Sequence, residues 1–455
     1  MQGSIARRTL LRGSATVAGF AAFGTLAACG QKAAAPAKGP APIVITYAPW
    51  GQSGYWKTFA PPGIQKFESA HKGIQVKLAN PGAGGQAAQS IAGGAGPDVF
   101  QDHVIAPYLE QNLVMDVTKY MQQDGVKPDL WSPGQMRAMS FPEGTFFLPA
   151  GAAVEIMAVN LSNLDAWGLP YPDPEWDLSA AKTAWTAATL TKAGQSYHGA
   201  AIDFGNGTIG SASTDTRAWA YHIYGGSVMD DTRTVCTMDS AEVLQATEFW
   251  FGLHWDQVVG SGNLATTVTY QTIASNQLLM ALQNWGNSFK WTFFPVPKYP
   301  NGQLSFMATG YNAINAATKY PEQAWELLKY LSAGEEWQML VAQYTLLTPS
   351  LVNVWDQYIS LVEQVAPIAK QLHVDYFAEA AKNWGLAGRV FKYQDAQAVD
   401  LINVGLQQAY ANNNESPAPQ LQALTRAVNA LEQQGAQLAA SISSSRTSRS
   451  GSSSS

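Results

Sequence analysis

The sequence predicts an α/β protein folded in two lobes. From Ile43 onward, short β-branched runs alternate with helical rhythms, the pattern of a parallel sheet covered by helices. The chain without its leader, roughly 400 residues, also exceeds the size of about 250 to 300 at which a single core stops growing. A hydrophobic content of 46% is that of a globular chain.

The first segment is an export address. Ala6-Arg7-Arg8-Thr9-Leu10-Leu11-Arg12 precedes a small-residue apolar run from Gly13 to Ala28, and residues 1–28 read as a signal peptide. The run is weakly hydrophobic and shorter than the about 20 apolar residues a spanning helix needs. Paired arginines resemble the twin-arginine signal. Leu26-Ala27-Ala28-Cys29-Gly30 resembles a lipobox, which makes Cys29 the expected lipid anchor, and residues 29–42, rich in Ala, Pro, Gly and Lys, a tether. A plain secretory signal with a chance cysteine is the bland alternative.

Ile43-Val-Ile-Thr-Tyr-Ala reads as a buried strand that opens at Pro49-Trp50-Gly51 into a loop. A helix is expected over 55–70, with Trp56, Phe59, Ile64 and Phe67 on one face and Pro61-Pro62 breaking or restarting it. Gly73 to Leu78 alternates like a second strand. Pro97 to Phe100 looks like a third, ending in a loop that holds Gln101, Asp102 and His103. Because ligands in open α/β sheets sit beyond the carboxyl ends of strands, Trp50, Tyr55 and Asp102 are candidate ligand contacts.

Further on, 154–160 is strand-like, and the proline-bounded Trp167-Gly-Leu-Pro-Tyr-Pro suits a crossing between lobes. Gly199 to Phe204 and Phe306 to Ala316 are strand-like. Asp239 to Leu253 and the segment from Pro321 to Leu331 read as helices, with Pro321 in a first turn. The serine-rich end, 441–455, is expected to be disordered.

Removing residues 1–28 takes away three arginines and moves the formal charge from −6 to −9, a balance unlike that of nucleic-acid binders. With Cys29 lipidated, Cys236 stands alone and is expected to be buried and inert. The chain holds 15 Trp, 18 Tyr and 17 Phe. Aromatic faces suit the C–H faces of pyranose rings, although about two-thirds of these side chains are expected in the core. The six histidines show no metal-ligand spacing, so no metal, cofactor or catalytic residue is assigned.

Landmarks in order then carry a resemblance. They are Trp50-Gly51, Phe67-Glu68 with Gly73-Ile74-Gln75-Val76, Gly96-Pro97-Asp98-Val99, Asp116-Val117-Thr118, and Leu148-Pro149 with Asn160. Phe306 to Ala316 leads on into Ala324-Trp325-Glu326-Leu327-Leu328 and Thr348-Pro349-Ser350. From Ile43 to about Gln434 the chain resembles the family 1 extracellular solute-binding proteins, the sugar-binding group that includes maltose-binding protein.

The resemblance implies a two-lobed periplasmic-binding-protein fold of the hinge-bending type II, with parallel-type sheets flanked by helices. The first lobe would take 43–155 plus about 304–355, and the second about 156–303 plus 356–440. It further implies a monomer on the extracytoplasmic face of the cell membrane that traps a sugar between its lobes and delivers it to an ABC importer permease. By position, Trp50 and Asp102 correspond to first-lobe sugar contacts, with Gln52 and Tyr55 nearby. Trp285 matches a second-lobe stacking tryptophan, and Gly310, Tyr311 and Asn312 lie on a returning hinge segment. Glu155, Trp384 and Arg389 complete the candidates. Glu175-Trp176-Asp177-Leu178 departs from the family's usual helix start while keeping its structural tryptophan.

Three rival readings remain. Gly205-Asn-Gly207-Thr-Ile-Gly210 matches a dinucleotide fingerprint literally, but a mid-chain turn accounts for it better. An exported glycoside hydrolase would need two carboxylates facing each other across a cleft. A betaine or polyol would draw on the same aromatic residues as a sugar.

Overall fold

The computed structural model describes residues 41–49, 56–80, 86–202, 218–412 and 415–450. The expected leader, Cys29, the candidates Trp50, Gln52 and Tyr55, and the glycine motif at 205–210 lie outside the described residues. None of the described helices is long and apolar enough to cross a membrane.

Ten strands form one continuous sheet. They are β1 (Ile43–Ala48), β2 (Ile74–Leu78), β3 (Val99–Asp102), β4 (Phe147–Asn160), β5 (Leu190–Lys192), β6 (Gln195–Ala201), β7 (Val268–Ala274), β8 (Trp291–Phe294), β9 (Ser305–Ile314) and β10 (Gly385–Ala387). The path runs β2-β1-β3-β9-β4-β7-β6-β5, with β8 pairing β4 and β10 pairing β9. Pairing is parallel where strand and helix alternate at the start, β1 against β2 and β3. It turns antiparallel where the chain returns through β9 beside β3 and β4. The sheet is therefore mixed, with parallel strands where strand-helix alternation predicted them.

The hinge is a property of β4. Its 14 residues exceed the usual strand of about 5 to 6, so one strand serves two bodies. Residues Phe147 to Val154 pair with β9, and Glu155 to Val159 pair with β7. β4 thus changes its partner strand between Val154 and Glu155, upstream of the proline-bounded segment near Trp167. An antiparallel bridge between Ala152 and Thr348 ties in a third crossing segment.

Period-two alternation divides the first-lobe sheet into two buried faces. Ile45, Tyr47, Val99 and Leu148 pack with Phe67 and Trp325 on one. Phe100, Phe147 and Tyr311 pack with Tyr108 on the other. In the second lobe, Trp176, Trp185, Trp250 and Tyr270 gather in one core, and Trp285, Trp291, Phe293 and Trp355 in another. Among the described residues ten tryptophans are buried, so the tryptophans there are spent chiefly on packing. Trp176 keeps its structural place, its indole N–H donating to the Pro295 carbonyl at 3.0 Å. Cys236 is buried, and loss of hydration pushes its thiol up to about 11.

Two local expectations change. The helix Trp56–Ala70 runs through Pro61-Pro62 without a break. The two missing N–H groups would have bonded to the carbonyls of Lys57 and Thr58, in an exposed first turn that water reaches, while Phe59, Ile64 and Phe67 remain locked in the core. At the other end, the helix Ala418–Ser450 extends into the serine-rich stretch expected to be disordered. Extending a helix adds one hydrogen bond per residue fixed and needs no new nucleus.

Candidate binding cleft

A cavity of about 270 Å³ sits where β4 and β9 cross between the lobes. Its floor is a run of small residues: Ala150 to Ala153 of β4 with Ala308, Thr309 and Gly310 of β9. The register shifts between Gly310 and Tyr311, which face Gly151 and Pro149, so Ala150 is an extra residue in a bulge that turns toward the cavity. A Cβ on Gly310 would lie 3.5 Å from the Gln101 side chain, at ordinary contact distance, so a methyl group fits there and little more. Bulky residues in this run would fill the cleft.

The walls come from both lobes. Gln101 and His103 at the end of β3, with Phe59 and Trp337, form the first-lobe side, and Asn276 enters from the turn after β7. Phe59 and Trp337 meet edge-on, centroids 5.8 Å apart. Helix Trp56–Ala70 and helix Glu335–Thr345 approach so closely at Gly63 that a Cβ would stand 2.4 Å from Trp337. Leu347 to Pro349 close the rim.

Beneath the floor, fully buried Gln135 holds the two hinge strands together. Its amide donates to Thr309 Oγ1 at 3.0 Å and to the Gly151 carbonyl at 3.3 Å. Ser275 Oγ accepts from the Val154 N–H at 3.1 Å and joins Thr348 Oγ1 at 3.3 Å. The crossing strands are therefore fixed by satisfied buried polar groups.

The predicted contacts separate on this geometry. Gly310 lines the cavity, as its hinge position implied. Asp102 does not line it. Asp102 belongs to β3 instead of a following loop, and alternation turns it toward Tyr108, whose hydroxyl donates to Oδ2 at 2.5 Å. Its neighbours Gln101 and His103 take the cleft side. By the same alternation Tyr311 packs on Phe147, while Asn312 points back into the first lobe and donates to Ser332 Oγ at 2.9 Å.

Trp285 is 6% exposed and meets Trp291 edge-on at 4.9 Å in the second-lobe core. Trp384 packs against that core, half-buried. Glu155 is buried in β4, and its carbonyl accepts from Ser305 Oγ. Arg389 is buried on Asp231 at 3.0 Å and on the Met229 carbonyl at 3.0 Å.

Sequence reasoning missed Gln101, His103, Asn276, Phe59 and Trp337 as lining residues. Strand alternation beyond Phe100 would have exchanged Gln101 for Asp102. Asn276 follows β7 directly, so the post-strand rule applied to the second lobe would have found it. No local signal marks Phe59 and Trp337, which helix pairing brings together.

The model of the bacterial extracellular solute-binding proteins matches residues 50–338, most of the chain. The protein belongs to that family. Comparison with curated protein sequences finds no match. Among solved structures, the ABC substrate-binding protein of Listeria monocytogenes in complex with cycloalternan is 17% identical, with a TM-score of 0.63 over 85% of this chain and 98% of its own. The cyclic α-maltosyl-1,6-maltose binding protein of Arthrobacter globiformis is 14% identical, TM-score 0.66, over 87% and 100%. A Thermotoga lettingae solute-binding protein bound with α-D-tagatose is 17% identical, TM-score 0.61, over 86% and 99%. At these identities the likeness establishes the two-lobed fold. Membership establishes an extracytoplasmic solute-binding protein.

Proposed function

We propose that the protein captures a sugar in the cleft between its lobes and hands it to an ABC importer permease, without chemical turnover. The cleft itself carries this reading. Small hinge residues leave room for a ring, the edges of the core residues Phe59 and Trp337 back one wall, and the side chains of Gln101, His103 and Asn276 supply hydrogen-bonding groups. The sugars bound by structurally similar proteins from Listeria, Arthrobacter and Thermotoga support the same ligand class.

Trp50, Gln52 and Tyr55 join the proposed contacts through their place after β1 in the sequence. Asp102, Glu155, Trp285, Tyr311, Asn312, Trp384 and Arg389 are assigned to the scaffold around the cleft. A twin-arginine leader, lipidation at Cys29 and a monomeric state belong to the same proposal.

A thermal-shift screen of mono- and oligosaccharides, betaines and polyols tests it, because a ligand raises stability by RT ln(1 + [L]/Kd). Shifts with saccharides that are recovered intact are expected. A shift with betaine alone would reverse the ligand class, and cleavage products would establish a hydrolase.

A further inference from the structure

We propose that the ligand is a neutral sugar with a carbon-rich edge, deoxygenated or alkyl-capped, which it seats on the floor between β4 and β9. The inference rests on the cleft reading and names the ligand class within it.

The floor offers carbon. Ala150, Ala152 and Ala153 of β4 and Ala308 of β9 line the cavity with methyl groups, and Val341 and Leu347 continue the apolar surface toward the rim. Three polar side chains at the cavity are already engaged in the scaffold. Thr309 Oγ1 accepts from the Gln135 amide at 3.0 Å and donates to the Gly151 carbonyl at 3.1 Å. The Gln338 amide donates to the Leu331 carbonyl at 3.0 Å, and its Oε1 accepts from the Ser350 N–H at 2.9 Å. Thr348 Oγ1 joins Ser275 Oγ at 3.3 Å. A sugar hydroxyl laid on this floor gives up water for no equivalent partner, whereas a C–H or methyl edge loses nothing.

The polar groups that face a ligand stand at the walls. Gln101 and His103 lie on the first-lobe side at the end of β3, and Asn276 lies across the cavity in the turn after β7. Hydroxyls are thus received at the two sides of the ring and carbon beneath it.

Charge is excluded by the same lining. Among the described residues that line the cavity there is no Asp, Glu, Lys or Arg. Asp102 is committed to Tyr108, and Arg389 to Asp231. The proposed contacts Trp50, Gln52 and Tyr55 add no acidic or basic side chain. His103 can take up a proton, but its Nδ1 stands 3.4 Å from Asp102 Oδ1, so a sugar acid meets a carboxylate together with the imidazolium. An amino sugar would lose hydration with no carboxylate on the lining to receive its charge.

Calorimetric titration of the wild-type full chain compares mono- and disaccharide pairs that differ in one group: L-galactose with L-fucose, L-mannose with L-rhamnose, glucose with methyl glucoside, and maltose with methyl maltoside. Glucuronate and glucosamine are titrated beside glucose. The pair that contains the tightest ligand decides. Its deoxy or methyl member is expected to bind about ten- to a hundredfold more tightly than the hydroxylated parent, the range in which an apolar surface rejects an added hydroxyl. A parent bound as tightly or more tightly in that pair, or a charged sugar bound more tightly than glucose, would overturn the inference while leaving the cleft reading intact. Ala308→Ser places a hydroxyl on the floor and is expected to shrink the preference at least about threefold at unchanged Tm. An unchanged preference in the folded variant would also overturn it. If Ala308→Ser does not fold, Ala152→Ser carries the same expectation. If no sugar of the panel binds wild type, the cleft reading fails and this inference falls with it.

Discussion

The Tyr108 hydroxyl donates to the Asp102 carboxylate at 2.5 Å, on the side of β3 away from the cleft. Asp102 Oδ1 also accepts from the backbone N–H of His103 at 2.7 Å and of Val104 at 3.3 Å. The carboxylate thus ties the strand end that carries Gln101 and His103 to the helix Ala106–Glu110. Tyr108→Phe leaves a buried carboxylate short of one donor and is expected to lower stability by about 1 to 3 kcal/mol, measured by urea denaturation. Saccharide affinity is expected to change less than stability.

Two glycines should respond in opposite ways. At Gly63 an added methyl meets Trp337, and Gly63→Ala is expected to lower stability by about 1 to 3 kcal/mol. At Gly310 the neighbours stand at ordinary contact distance, so Gly310→Ala should fold with near wild-type stability while narrowing the cleft. Denaturation paired with calorimetric titration separates the two effects.

Gln135 is fully buried, and its amide serves both hinge strands. Gln135→Ala removes donors to Thr309 and Gly151 and opens space under the floor. A loss of about 2 to 4 kcal/mol is expected in chemical denaturation, together with weaker saccharide binding.

Stability should also depend on pH through Glu432 and His222. Burial pushes the Glu432 carboxyl from 4.5 up to about 8, against the hydrogen bond from the Tyr393 N–H and with help from Asp395 and Glu110. A raised folded value means its contribution is fully present below 4.5 and is lost as pH rises through about 8. Burial first, then Arg137 and Arg389, pushes His222 from 6.5 down to about 4, so stability falls as pH drops from 6.5 toward 4. Glu432→Gln is expected to remove the fall in Tm that Glu432 contributes between pH 4.5 and about 8, and His222→Gln the fall from 6.5 toward 4.

The order of elements was legible because buried strands and amphipathic helices leave local patterns; β1 begins and ends where Ile43 to Ala48 predicted. Gly310 was singled out by its place on the returning segment of the family landmark Phe306 to Ala316, and it lines the cavity. Asp102 and Trp285 were assigned to the cleft because side-chain chemistry was weighed before side-chain direction. β3 runs two residues past Phe100, and alternation continued through Gln101 and Asp102 gives the cleft side to Gln101. Trp285, Phe289 and Trp291 are neighbours in sequence, but the core that buries them is completed by Trp355 and Phe377 from later in the chain.

Calorimetric titration of wild type and Gly310→Phe with the same saccharide panel tests the central claim most directly. The floor of β4 and β9 predicts saturable one-to-one binding to wild type and none to the folded variant, whose ring occupies the cleft. Unchanged saccharide binding by Gly310→Phe would place the sugar site elsewhere and contradict the account.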